Sequence, residues 1–262
     1  MSLIKIIILG IIQGITEFFP ISSSGHLVLA QNLFGLKEPQ LLLDVMLHVG
    51  TVISLLIFLR KEIAEIILSL IQFLKKPSLK TKDPNMALVF SLVVASIPTF
   101  LIGYFFSRPL ESLFESPKAV SFALMITAFF LFFTKFARPK KVKVPLHPFI
   151  IGVLQGTAIV PGFSRSGLTI GGALFLGWER KKAARFSFLL SIPAILGASF
   201  FQLQKSVAST QPWGIILIGV LVSAIMGYFS LVFLVKIINR GKFYLFSFYC
   251  AVVAAIGIIL TW

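Results

Sequence analysis

The amino-acid sequence predicts an all-α polytopic membrane protein, with six transmembrane helices and two re-entrant helical hairpins in an inverted repeat. Hydrophobic residues make up 57% of the 262 residues, and the mean hydropathy is +0.98, which a water-soluble domain of this length would not tolerate. Lys and Arg outnumber Asp and Glu by 24 to 9 and cluster between apolar runs. That pattern is typical of loops that set membrane topology. We therefore expect contacts with membrane lipids and none with nucleic acid.

Six apolar runs are long enough to cross roughly 30 Å of hydrocarbon as helices. These spans are predicted at 41–59, 84–107, 117–136, 186–204, 212–235 and 243–262. The first span differs from the others because it carries Asp44 and His48. Asp44 lies at the start of the span, where a capping or dipole role and a catalytic role are both open. His48 lies one turn deeper and is a candidate for an indirect, supporting role.

Two further apolar stretches, 6–36 and 144–178, have polar centres that contain Pro and Gly. The centres read E-F-F-P-I-S-S-S-G-H and P-G-F-S-R-S-G, and neither suits a continuous helix. A single crossing by the second stretch would put its flanking basic clusters on opposite sides of the membrane, against the positive-inside tendency. A re-entrant hairpin at each stretch keeps the basic segments cytoplasmic. These segments are 60–82, 135–143, 180–185 and 236–242.

The two polar centres align with each other when the sequence is shifted by 142 residues without gaps. The shift pairs Gly10 with Gly152, Gln13 with Gln155, Gly14 with Gly156, Ser22 with Ser164, Ser24 with Ser166 and Gly25 with Gly167. Each half then has one hairpin and three spans, so the second half is inverted relative to the first. We interpret 1–262 as one integral membrane domain with repeats of approximately 1–137 and 144–262. Chance similarity between Gly- and Ser-rich turns is the alternative.

The two turns are predicted to meet near mid-membrane and to bind phosphate. Each turn places Ser and Gly at the start of a half-helix, where free N–H groups and the helix dipole attract anions. The predicted phosphate ligands are Ser22, Ser24, Gly25, Ser164, Arg165, Ser166, Gly167 and Thr169. Arg165 adds a planar guanidinium that can hold phosphate oxygens bidentately. The alternatives are that the serines only cap helices and that Glu17 and Arg165 form only a structural ion pair.

The first turn also carries groups that could hydrolyse a phosphate ester or anhydride. Gln13 and Glu17 are spaced i to i+4 and so share one helix face. Glu17 could activate a serine hydroxyl, or it could join Gln13 in holding a divalent cation, Mg²⁺ or Ca²⁺, against a diphosphate. His26 could protonate the leaving group, act as a base or be the nucleophile, while a packing role is the alternative.

Two motifs in these turns resemble the signatures of a known family, the bacterial undecaprenyl-diphosphate phosphatases of the BacA type. The motifs are Q-G-I-T-E-F-F-P-I-S-S-S-G-H at 13–26 and P-G-F-S-R-S-G at 161–167, and the resemblance covers essentially the whole chain. It implies a hydrolase that converts undecaprenyl diphosphate to the monophosphate carrier of peptidoglycan precursors and confers bacitracin resistance. It also implies a multi-pass protein of the bacterial inner membrane whose active site faces the periplasmic or extracellular side.

The same resemblance implies roles for individual residues. Glu17 assists catalysis with Gln13, and Ser23 is the favoured nucleophile, with His26 as an alternative nucleophile or proton-transfer group. Ser164 and Arg165 hold the phosphates. The family pattern also implies a divalent cation, although Gln13 here stands where the family has either Glu or Gln and so removes one carboxylate from that metal site.

Other functions fit parts of the pattern. Lipid phosphatases of the PAP2 type share S-G-H and S-R elements, but Ser164 and Arg165 are not followed by the His and Asp that this type requires. Inverted repeats with half-helices at mid-membrane are also carrier architecture, so a polyprenyl-phosphate transporter or flippase is the alternative function. The oligomeric state stays open, with a homodimer as the candidate assembly.

Overall fold

The computed structural model describes residues 2–36, 40–75, 83–110, 113, 116–140, 144–205 and 212–260, and these contain helices and no strand. The helices are α1 Leu3–Phe18, α2 Ser23–Leu33, α3 Leu41–Phe58, α4 Arg60–Lys75, α5 Pro84–Leu110, α6 Pro117–Phe133, α7 His147–Thr157, α8 Arg165–Phe175, α9 Arg180–Lys205, α10 Trp213–Asn239 and α11 Phe246–Leu260, with short 3-10 helices at Thr134–Phe136 and Phe243–Leu245. The predicted all-α architecture is therefore confirmed.

Five helices of the described chain, α5, α6, α9, α10 and α11, are each long and apolar enough to cross a membrane. The sixth candidate is α3 taken together with α4, a pair bent by 77°. This agrees with a polytopic membrane protein. The sequence analysis predicts a basic segment at 60–82 and no helix there, whereas α4 occupies most of that segment. Its apolar residues recur with helical spacing between charged ones, and that signal was missed.

Both stretches with polar centres are broken helices, as predicted. The break between α1 and α2 contains Pro20, and the break between α7 and α8 contains Pro161, where the ring prevents the helix from continuing. Ser22 adopts a left-handed backbone with φ of 66°, and Gly162 adopts φ of 100°. Ser22 is the one non-glycine residue in the described chain with positive φ. Strain of this kind tends to concentrate at functional turns.

The first arm of each hairpin packs against a helix of the opposite half. α1 packs along α10, and its counterpart α7 packs along α5. Glycines allow the close approach, because a Cβ added at Gly14 would overlap Ser223 of α10 and one added at Gly152 would overlap Ala95 of α5. Because each first arm packs against the opposite half, the two polar turns lie together in the interior. The division into two inverted repeats stays a prediction that agrees with this reciprocal packing.

Candidate active site

Glu17, near the end of α1, lies where the two turns meet. Its side chain is only 4% exposed. One carboxylate oxygen, Oε2, accepts hydrogen bonds from the Ser23 hydroxyl at 2.6 Å and from the Gln13 amide at 2.8 Å. The other, Oε1, accepts from the Arg165 guanidinium at 3.3 Å. A buried carboxylate needs such donors because an unpaired charge away from water is strongly destabilising. The predicted meeting of the two turns is confirmed by this contact.

The two half-helices that follow the breaks begin in the same way. Ser22 is the N-cap of α2, and its hydroxyl accepts the Gly25 N–H at 3.2 Å. Ser164 is the N-cap of α8, and its hydroxyl accepts the Gly167 N–H at 3.1 Å. Both cap residues are buried. The capping role that the sequence left open for these serines is therefore realised, and their contact with phosphate stays a prediction.

Further hydrogen bonds fasten the two turns to each other. The Gly162 N–H donates to the Ser22 hydroxyl at 3.2 Å, and the Ser166 hydroxyl donates to the Phe19 carbonyl at 3.2 Å. The Ser24 hydroxyl lies 3.3 Å from that of Ser22, and the corresponding serines of the second turn show the same separation. The turns thus form one rigid unit that holds both half-helix starts in a fixed relation.

Ser23 and Arg165 are the first residues of α2 and α8, and both side chains reach Glu17. Both residues are partly exposed, whereas the capping serines before them are buried. Helix geometry leaves the N–H groups of the first residues of α2 and α8 without a carbonyl partner inside the helix. A small cavity beside Glu17 and Arg165 is closed by Ser187 and Ser191 of α9, which the sequence analysis did not single out. The arrangement can receive an anion between two positive helix ends.

Thr169 lies one turn into α8 and is fully buried. Its hydroxyl donates to the Arg165 carbonyl at 2.8 Å and is hydrogen-bonded to the Ser187 hydroxyl of α9. The side chain therefore joins α8 to α9 behind the helix start. Its role as a phosphate ligand stays a prediction that these contacts do not favour.

His26 is held by two partners away from Glu17. Its Nδ1 lies 2.8 Å from the Ser22 carbonyl oxygen, so this nitrogen is the donor. Its Nε2 lies 2.9 Å from the Tyr249 hydroxyl of α11, and the two rings are stacked with centroids 5.6 Å apart. Both ring nitrogens are thus engaged. Tyr249 was not predicted, because its only signal in the sequence is a phenol within an apolar helix.

His48 contacts the site directly. Its Nε2 lies 3.4 Å from Glu17 Oε2, and its Nδ1 donates to the Asp44 carbonyl at 2.7 Å. This contact with Glu17 agrees with the indirect, supporting role that the sequence indicates for His48. The Asp44 carboxylate accepts from the Gln31 amide at 2.7 Å and ties α3 to α2. The structure therefore places Asp44 outside the Glu17 cluster.

The expected metal ligands, Gln13 and Glu17, are arranged as hydrogen-bond donor and acceptor. The carboxylate selects the amide nitrogen of Gln13, so the amide oxygen faces away and has no hydrogen-bond partner among the described residues. The described residues also contain no group of three or more His, Cys, Asp or Glu side chains that could hold a metal ion. As they stand, these two residues do not form a prebuilt Mg²⁺ or Ca²⁺ site.

Comparison with known proteins shows the family to which the chain belongs. The family model described as bacitracin resistance protein BacA matches residues 6–256. A protein named undecaprenyl-diphosphatase from Desulforapulum autotrophicum is 43% identical over an alignment of 271 residues, gaps included. The alignment covers 99% of this chain and 98% of the relative. Proteins of the same name from Halothermothrix orenii and Methanosphaera stadtmanae are 42% and 36% identical, covering 99% and 100% of this chain and 98% and 99% of the relatives. The chain therefore belongs to the BacA family of bacitracin resistance proteins.

Proposed function

We propose that this protein hydrolyses undecaprenyl diphosphate to undecaprenyl phosphate and inorganic phosphate, and so recycles the lipid carrier of peptidoglycan synthesis. One observation carries the proposal: the Ser23 hydroxyl and the Arg165 guanidinium lie 2.6 Å and 3.3 Å from one buried carboxylate, Glu17. Relatives named undecaprenyl-diphosphatase, identical at up to 43% over nearly the whole chain, support the substrate and the activity. The family name fits a role in bacitracin resistance.

In the proposed reaction, Ser23 is the nucleophile. Its oxygen attacks the terminal phosphorus, Glu17 takes the hydroxyl proton, and the bond from that phosphorus to the bridging oxygen breaks. The leaving undecaprenyl phosphate needs little protonation, because a phosphate monoester is a weak base with a second pKa of about 6. Water then attacks the phosphoserine, and Glu17 returns the proton to the Ser23 oxygen as inorganic phosphate departs.

Arg165 and the half-helix starts stabilise the charge on the transferring phosphoryl group. Phosphoryl transfer depends mainly on positioning and electrostatic stabilisation. One guanidinium nitrogen of Arg165 is bound to Glu17, and the remaining N–H donors can reach phosphate oxygens. The N–H groups at the starts of α2 and α8 add fixed donors that do not have to reorganise during the reaction.

A divalent cation, Mg²⁺ or Ca²⁺, enters the proposal as a ligand of the diphosphate. Such ions are commonly bound through one or two carboxylates together with substrate phosphates. Glu17 would be the protein ligand of this ion. The amide oxygen of Gln13 faces away from Glu17 and so would not join it. The ion would neutralise part of the diphosphate charge when the substrate binds, whereas Glu17 handles the proton in the steps described above.

The proposed location is the bacterial inner membrane, with the active site open to the periplasmic or extracellular side. The basic residues support this orientation. Arg165 begins α8 at the active site, whereas the basic segment 180–185 follows the other end of the helix, about 15 Å away along its axis. Positive-inside placement of that segment puts the active-site end toward the outer side. Besides the lipid substrate, a homodimer is the candidate assembly.

Phosphate release from undecaprenyl diphosphate by the purified full-length protein tests the function. Glu17→Ala and Arg165→Ala are each expected to lower turnover by at least about 10²-fold, because each removes part of the charge arrangement at phosphorus. A matched control is Glu179→Ala with Lys182→Ala, which breaks an exposed ion pair of 3.1 Å elsewhere in the chain and should leave turnover within twofold. Full turnover in both active-site variants would overturn the site.

The first arm of each hairpin packs against a helix of the opposite half. This packing also favours a second candidate function, a polyprenyl-phosphate transporter or flippase. A carrier needs alternating access but no nucleophile. Reconstitution of the Ser23→Ala variant in proteoliposomes separates the two activities. Lipid translocation that persists without hydrolysis would support the carrier, whereas a pure hydrolase shows no translocation in either form.

A further inference from the structure

A second cavity lies at the far end of α8 from Glu17. It is formed where α6, α8 and α10 end and where α9 begins. Three cationic residues line it: Lys135, Arg138 and Arg180. Three aromatic residues, Trp178, Phe243 and Tyr244, also line it. The length of α8 separates this cavity from the active site, so it is a different site.

The cations in this cavity have no carboxylate among the described residues that line it. The Lys135 ammonium lies 5.6 Å from the centre of the Tyr244 ring. The acidic residue nearest in sequence, Glu179, is bound to Lys182 at 3.1 Å instead. All three residues are exposed, so solvent and salt screen part of their mutual repulsion, and an anion bound between them would offset the rest.

Helix ends alone do not balance this charge. Each helix C-terminus carries about half a negative charge and each N-terminus about half a positive charge. Three helices end at the cavity and one begins there, which offsets only about one of the three cations. A surplus of about two positive charges is left, so the cavity favours an anionic ligand over a neutral or zwitterionic one.

The surface next to the cavity is apolar and aromatic. Phe136 is 64% exposed and Phe133 is 54% exposed, and both flank Lys135 in the sequence. Phe132 joins them, with ring centroids 6.3 Å from Phe136 and 6.4 Å from Phe248 of α11. A ligand that has a phosphate and long apolar chains would satisfy the cavity and this surface together, whereas free phosphate would use only the cavity.

We infer that the Lys135, Arg138 and Arg180 cavity binds the phosphate headgroup of an anionic glycerophospholipid, whose acyl chains lie along the neighbouring phenylalanines. Basic pockets between helices on the cytoplasmic side of membrane proteins recognise such headgroups. The cavity lies at the basic end of the bundle, opposite the active site, so the lipid bound here is distinct from the diphosphate substrate. The inference is independent of the proposed reaction.

Native mass spectrometry of the full-length protein in detergent tests this site. The probes are phosphatidylglycerol and phosphatidylcholine with the same acyl chains. Phosphatidylglycerol is expected to bind at least tenfold more tightly. Replacement of Lys135, Arg138 and Arg180 together by Gln should weaken its binding at least tenfold. A matched triple variant, Lys181→Gln, Lys236→Gln and Arg240→Gln, removes exposed cations that do not line the cavity and should change binding less than twofold.

Three results would overturn the inference. Equal weakening in both triple variants would mean diffuse attraction to surface charge. Equal affinity for the two lipids would mean that the cavity does not select an anion. Displacement of phosphatidylglycerol by millimolar inorganic phosphate would identify free phosphate as the ligand. If the cavity variant does not fold, the exposed Arg138→Gln substitution alone should weaken binding about threefold, and an unchanged affinity would count against the site.

Discussion

Ser23 and Arg165 occupy the same position in the two halves of the chain and bind the same carboxylate. They are 142 residues apart, which is the shift that aligns the two turns, and each is the first residue of its half-helix. The Ser23 hydroxyl and the Arg165 guanidinium lie 2.6 Å and 3.3 Å from Glu17. One position of the predicted repeat thus carries the proposed nucleophile in one half and a cation in the other.

Ser23→Ala is expected to lower the turnover of undecaprenyl diphosphate by at least about 10³-fold, because it removes the attacking oxygen. Ser91→Ala is the matched control, since that hydroxyl donates to the Ala87 carbonyl within α5 rather than to Glu17, and its turnover should stay within twofold. Rapid quenching followed by peptide mass spectrometry should find phosphate on Ser23. Wild-type turnover in Ser23→Ala would exclude this nucleophile.

Arg165→Lys keeps the positive charge but loses the planar fork that can hold two phosphate oxygens. We expect about a 10²-fold lower kcat, with KM changed less, because the lost interaction is made mainly in the transition state. Arg240→Lys, at an exposed position after α10, is the control and should behave as wild type. Steady-state kinetics that show only a raised KM would contradict this role.

His26→Ala should leave measurable hydrolysis, about tenfold below wild type. Both ring nitrogens are engaged by Ser22 and Tyr249 rather than by the Glu17 cluster. Tyr249→Phe removes only the hydroxyl partner and should reduce turnover less than His26→Ala does. If His26→Ala is inactive while Ser23→Ala retains turnover, the histidine is the nucleophile.

A chelator is expected to lower hydrolysis without lowering the thermal unfolding midpoint of the substrate-free protein. The reason is that Gln13 and Glu17 bind each other and do not form a prebuilt cation site. The midpoint is measured in detergent with Mg²⁺, with Ca²⁺ and with chelator. A cation-dependent rise of several degrees before substrate is added would show that a prebuilt site exists.

Gly162→Ala should destabilise the fold and reduce activity. Gly162 has φ of 100°, and a Cβ there would overlap the Val120 carbonyl of α6. The left-handed backbone alone costs about 1–2 kcal/mol for a residue with a Cβ. Gly103→Ala is the control, since none of the described residues beyond its own stretch of helix has an atom within 4 Å of the position that its Cβ would take. Equal unfolding midpoints for the two variants would contradict the close packing at the second turn.

Much of the fold was predictable because membrane helices are continuous apolar runs, and Pro with Gly marks where the two hairpins break. The Glu17 and Arg165 contact was also predictable, since a charge at membrane depth needs a partner. By contrast, the hydrogen bond between His26 and Tyr249 joins residues 223 positions apart, and only tertiary packing creates it. The direct contact between His48 and Glu17 likewise depends on how α3 rotates against α1, which no local pattern specifies.

The packing of α1 against α10 has a consequence for the synthesis and membrane insertion of the protein. α1 leaves the ribosome before α10, at 213–239, has been synthesised. Glu17 of a nascent chain therefore enters the bilayer before α10, the helix against which α1 packs, has been made. Truncation ahead of α10 would leave this polar hairpin without the helix against which it packs, so we expect a partly synthesised chain to have no activity.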